Sequence, residues 1–118
     1  MNLIDTIESC AQACIDEQTT RREAALESPS KGRVALIQGS QIKNLDNYPA
    51  FLAAVNALSE EQCGVLCGLA EAGMYPEDAI EDRLAADKRT CSERHPLAVL
   101  RGITRARAEN FDFSLFEV

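Results

Sequence analysis

The side chains of this 118-residue chain that are able to do chemistry are five cysteines, one histidine and a cluster of carboxylates. Three pairs share one spacing: Cys10 with Cys14, Cys63 with Cys67, and Cys91 with His95. Residues four apart on a helix share a face, with Cβ atoms ~5–6 Å apart. A disulfide within such a pair is disfavoured, because it wants ~3.8 Å. Two thiolates so placed would instead hold a soft ion, zinc or copper(I), with Cys10, Cys14, Cys63, Cys67 and His95 as the ligand set. The plainer reading makes the sulfur atoms core. Cys10, Cys14, Cys63 and Cys67 each fall where a helical stripe asks for an apolar side chain, and cysteine packs as a small hydrophobe. That reading expects no metal and no cofactor. An odd cysteine count prevents full pairing within the chain, so reduced thiols in a cytoplasmic setting are expected. An inter-helix or intersubunit disulfide is the remaining alternative. Cys91 stands near Lys88, Arg89 and Arg94, cations that would lower its pKa and make it the one reactive candidate.

Other catalytic patterns are missing. Glu77, Asp78, Glu81 and Asp82 form a carboxylate cluster, read as a solvated helix face rather than an acid–base or metal site. His95 precedes Pro96, a helix-start position rather than that of a base. No Gly-rich phosphate loop is present. A non-enzyme is the expectation.

Charge is unevenly spread over a net −7. Residues 1–82 carry 5 basic and 14 acidic side chains, residues 83–107 carry 7 basic and 2 acidic, and residues 108–118 carry three acids. The acidic balance repels phosphates and argues against direct nucleic-acid binding. A protein with a basic surface is the natural partner. Arg101 and Arg105, one turn apart, are the candidate anion contacts in the basic segment, although the segment folding back on the acidic helices is the simpler arrangement. Three of four phenylalanines, Phe111, Phe113 and Phe116, lie in the last eight residues. They either dock on their own domain or complete a homodimer or partner interface, since an exposed aromatic cluster promotes association.

The elements that must position these groups read as helices. Hydrophobic residues make up 46% of the chain and aromatics only 5%, with no tryptophan. Alanine and leucine supply most of that mass, and both favour helix. The length suits one domain with one core. Residues 2–27 form a long first helix on the spacing of Leu3, Ile7, Cys10 and Cys14, less firmly so in its polar second half. Ser28 to Gly32 is a break. The run Val34 to Ile37 reads as strand or short helix, and residues 28–47 are the least defined.

Pro49 opens a helix running to Leu58. Ser59-Glu60-Glu61-Gln62 is a capping box that starts the next, which runs to about Ala72 and ends at Gly73 in the C-cap role. Gly64 and Gly68 on that central helix suggest close approach by a neighbour. Pro76 opens an acidic helix to about Lys88, and His95-Pro96 opens the last helix. The expected fold is therefore a compact all-α bundle of five or six helices in a single domain: the N-terminal helix 2–27, a helical core over 48–107 and an aromatic tail over 108–118. The opening residues lack a basic region and a long apolar run, so neither a signal peptide nor a membrane span is expected.

The stretch from Tyr48 to Leu115 resembles a family of small acidic helical bacterial proteins of unknown function. The matching residues are Tyr48, Phe51, Ala57 through Gln62, Gly73, Glu77-Asp78-Ala79, and His95 through Leu100. The tryptophan of that family's central helix is absent here, and cysteines stand in the helix. The resemblance implies a helical fold and no activity. The segment Glu8 to Cys14 is also similar to the paired-cysteine helices of copper-storage bundles, which carry many more such pairs.

The reading of function that follows is a non-catalytic protein-binding or regulatory module, working through a charged surface and as a homodimer in one version. Its contacts would be Arg101, Arg105, the acids Glu77, Asp78, Glu81 and Asp82, and the Phe111, Phe113 and Phe116 tail. The alternatives are a cysteine-rich metal or thiol-redox protein, and an acidic inhibitor of nucleic-acid-binding machinery of the phage anti-defence type.

Overall fold

Asn2 starts the first helix, its side-chain oxygen accepting from the Ile4 N–H at 2.9 Å. The computed structural model describes residues 1–86 and 95–118. Among them are six α-helices: α1 Leu3–Glu27, α2 Ser30–Gly39, α3 Tyr48–Asn56, α4 Glu60–Met74, α5 Ile80–Ala86 and α6 Pro96–Ala108. Short 3-10 turns occupy Ile42–Asn44 and Ser114–Phe116. The fold is an all-α bundle in one domain. No described helix is long and apolar enough to cross a membrane.

The axis of the bundle is the α4–α6 pair, with α5 against α4. The long α1 packs on α6, α2 and α3. Ile4, Ile7, Ala11 and Cys14 form the buried stripe of α1 and meet Phe51, Val55, Leu66, Cys67, Val99 and Ile103 in the main core. These positions follow the helical period, so the same spacing that builds each helix also aims it inward.

Local signals fix the helix ends. Ser59 and Gln62 form both halves of the capping box, the Ser59 oxygen accepting from Gln62 N–H at 3.1 Å and the Gln62 oxygen from Ser59 N–H at 2.8 Å. At the far end of α6, Asn110 takes a φ of 59°. The Phe111 N–H then donates to the Ala106 carbonyl at 2.9 Å and the Asn110 N–H to Arg107 at 3.2 Å. That is a Schellman close, in which asparagine tolerates the left-handed backbone. It turns the chain back so that Phe116 enters the core with no exposure. The tail ends beside the start of α1: the Val118 N–H donates to the Met1 carbonyl at 3.0 Å, and the Asn2 amide donates to the Phe113 carbonyl at 3.0 Å.

Two expectations for the glycines change. Gly73 does not end α4; the helix continues to Met74. Its purpose is packing. A Cβ on Gly73 would stand 2.5 Å from the backbone nitrogen of Gly102, and one on Gly102 would stand 2.1 Å from the Leu69 carbonyl oxygen. The α4 and α6 backbones therefore touch directly. On α4 itself, Gly68 lies under Leu84 of α5, whose Cα would be 2.9 Å from an added Cβ, while Gly64 faces open space.

Residues 28–47 resolve as helix α2, a 3-10 turn and loops rather than a strand. Nothing on α2 is buried. Pro76 does not open a helix either: α5 begins at Ile80, after a turn over residues 76–79. The Asp82 and Arg83 N–H groups bond to the Ala79 carbonyl, which sets the start of α5 after the turn. The expected end near Lys88 lies outside the described residues.

Candidate functional site

The second half of α1 is polar because it holds a loop. Glu17 accepts from the backbone N–H of Asp46 at 2.8 Å, from that of Asn47 at 3.0 Å and from the Asn47 side-chain amide at 2.8 Å. Arg21 pairs with Glu17 at 2.6 Å and donates to the carbonyls of Gly39 at 2.7 Å and Asn44 at 3.0 Å. The buried Gln18 donates to the Ser40 carbonyl at 2.9 Å. Burial would raise the Glu17 pKa, but the bonds from Asn47 and Asp46 and the Arg21 cation together hold it below its ordinary value. This cluster anchors the turn leading into α3. It was not legible as a site, because its acceptors and donors are mostly backbone atoms far along the chain.

Arg105 and Arg101 separate sharply. Arg105 donates to the carbonyls of Ala72 at 2.9 Å and Asp78 at 2.6 Å, and pairs with Glu109 at 2.7 Å. Ala72 lies in the last turn of α4, where carbonyls lack helical partners. Arg105 is thus a strut between α6, the end of α4 and the 76–79 turn, with its guanidinium occupied; it does not stand as an open anion contact. Arg101 is exposed and makes no hydrogen bond or ion pair among the described residues.

The acidic cluster divides as well. Asp78 pairs with Arg83, whose guanidinium also lies 4.3 Å from the centre of the Tyr75 ring. Asp78 and Glu77 sit in the turn and not on one helix face with Glu81 and Asp82, because α5 starts later than expected. Glu77, Glu81 and Asp82 are exposed and outside any ion pair among the described residues. In the tail, Phe116 is buried in the main core and cannot meet a partner, while Phe111 and Phe113 are half-buried and pack against each other at 5.2 Å. Arg107 clamps this end to α1 through Asp5 at 2.7 Å and Glu8 at 3.0 Å.

The five-residue metal set is not assembled: no group of three or more His, Cys, Asp or Glu stands together among the described residues in a way that would hold an ion. Cys10 and Cys14 are free thiols. Burial, then Glu17 and Cys10, push Cys14 up to about 11, so it carries almost no thiolate near neutral pH. The Cys63 thiol points at the Val55 carbonyl at 3.9 Å. Cys67, buried at the α4 axis, is disulfide-bonded, against the expectation of a reduced thiol. The reactive reading of Cys91 lies outside the described residues. His95 caps α6, its Nδ1 accepting from the Leu97 N–H at 3.0 Å. Desolvation and the nearby Arg22 cation lower its pKa, which keeps that nitrogen available as an acceptor.

Three surface depressions adjoin one another along the bundle. The first, of about 420 Å³, has Leu26, Ile37 and Arg22 in its walls. The second, of about 450 Å³, shares Arg22 and Gln41 with it and adds Lys43, Tyr48 and His95. The third, of about 500 Å³, shares His95 and continues to Leu97, Met74 and Arg101. What such an arrangement offers chemically is contact: apolar walls with separated cations. Comparison with protein-family models, with curated proteins and with solved structures finds no match for the chain.

Proposed function

We propose that this all-α protein is a non-catalytic binding module that acts on another protein through its surface. The observation that supports the reading is α2. This helix carries Val34, Leu36 and Ile37 at 65%, 41% and 46% exposure, with Leu26 of α1 beside it at 69%, in a molecule whose other helices bury their apolar stripes. Apolar side chains grouped on one exposed hairpin mark an association surface more often than scattered ones do. The exposed acids Glu77, Glu81 and Asp82 supply a second contact, of a sign that suits a basic partner surface.

The test is quantitative co-purification from the native host with two baits, the wild-type chain and the folded double variant V34E/I37E. A protein retained by the wild type and lost by the variant supports the reading. Equal recovery of every protein on both baits overturns it. Washing at raised salt separates the acidic contribution, because exposed charge pairs weaken over a screening length of ~8 Å at physiological ionic strength and less above it.

A further inference from the structure

We propose that the three adjoining depressions form one docking groove for an acidic, amphipathic segment of a partner protein. The proposal rests on the reading of the protein as a binding module and adds where one segment of the partner sits and what that segment's chemistry is, apart from any basic surface that meets the exposed acids.

Charge carries the argument. The chain has 19 acidic and 12 basic side chains, so a groove placed without regard to sign would be walled mainly by carboxylates. Among the described residues, the first two depressions contain none, and present Arg22 and Lys43 instead. The third contains one, Glu71, which is itself engaged, together with Arg101. Most other described arginines are spent on internal bonds: Arg21 on Glu17, Arg83 on Asp78, Arg105 on α4 and Arg107 on α1. Arg22, Lys43 and Arg101 have no hydrogen bond or ion pair among the described residues, and all three line this groove. Unneutralised cations gathered in one place on a chain of net −7 favour an anionic occupant.

The walls decide which anion. Leu26 and Ile37 at one end, Ile42 and Tyr48 in the middle, and Leu97 and Met74 at the other supply apolar contact between the cations. A segment with apolar anchors at helical or alternate spacing and carboxylates between them would satisfy both features. A nucleic-acid strand would meet few aromatic platforms for its bases, the described wall residues offering Tyr48, Tyr75 and the His95 ring.

A phage-displayed library of random 16-residue peptides, selected against the full chain, tests this directly. The expected outcome is enrichment of peptides that are net negative and carry two or more large apolar residues. Their synthetic versions should lose at least tenfold in affinity against R22E/K43E and against R101E. These positions make no hydrogen bond or ion pair among the described residues, and an unchanged thermal transition confirms that the variants fold. A charge-inverted peptide, with lysine in place of each acid, should show no binding. Amide chemical shifts should move along Arg22, Lys43, Leu97 and Arg101. Enrichment of basic peptides, binding indifferent to the three cations, no enrichment, or tighter binding of single-stranded oligo-dT than of any peptide each overturns the groove. If the V34E/I37E comparison still separates a native partner in those cases, the binding-module reading stands and only the groove assignment falls.

Discussion

Single side chains, and in two cases their absence, carry much of this structure. Gly102 faces the Leu69 carbonyl so closely that a methyl group would overlap backbone, which cannot swing aside as a side chain can. Gly64, on α4 five residues before Leu69, meets nothing. Gly102→Ala should therefore cost several times the ordinary core penalty of about 1–3 kcal/mol for overpacking, and Gly64→Ala should stabilise by about 0.5–1 kcal/mol through helix propensity. Paired urea melts read both; equal behaviour of the two variants would contradict the close backbone contact. Arg105 acts through its presence. Replacing it by alanine strands the Ala72 and Asp78 carbonyls and the Glu109 carboxylate, a loss expected near 2–4 kcal/mol for bonds to a charged group. Arg101→Ala, an exposed side chain without a hydrogen bond or ion pair among the described residues, should stay within about 0.5 kcal/mol of wild type in the same melt. From sequence the two arginines looked alike, one turn apart on one helix. What divides them is the position of carbonyl oxygens 27 and 33 residues away, and backbone atoms carry no mark in a sequence.

At the scale of elements, signals confined to a few neighbouring residues were legible and those that depend on a distant partner were not. The capping box at Ser59 and Gln62, the proline start of α3 and the histidine start of α6 are each complete within four residues. Helix α2 was obscure for the opposite reason: its apolar residues face no core, so they show no buried period. The polar half of α1 was obscure because Glu17, Gln18 and Arg21 serve a loop beyond the next helix. Glu17 gives this cluster a pH signature. Its folded pKa lies below its ordinary value near 4.5, so the stabilisation it contributes is present above that value. It is lost as pH falls through the folded-state pKa. Glu17→Gln should cost about 1–2 kcal/mol at pH 7, since three donors lose a charged acceptor. It should also flatten the fall in melting temperature between about pH 5 and 3 that the wild type shows. A variant with the wild-type acid slope would mean that Glu17 is not what anchors the turn into α3.

For the whole molecule, the surface is divided between residues the fold needs and residues it does not. Val34 and Ile37 belong to the second kind, which is why V34E/I37E is expected to melt within about 0.5 kcal/mol of wild type and to associate less than wild type at high concentration. Light scattering and a thermal scan on one sample would check both; marked destabilisation would show that α2 is held by those side chains after all. Composition made the all-α class legible, because alanine and leucine dominate and β-branched runs are scarce. The sign of the candidate groove was hidden by that same composition: a chain of net −7 gives no hint that three cations, unpaired among the described residues, line adjoining depressions.

The seam where Gly73 and Gly102 meet has a dynamic corollary. Two backbones in direct contact have no rotamers between them to absorb a displacement, so a shift of α4 against α6 at this point has to be taken up by backbone. Their amide protons should accordingly be the slowest in the molecule to exchange with deuterium, and those of α2 among the fastest.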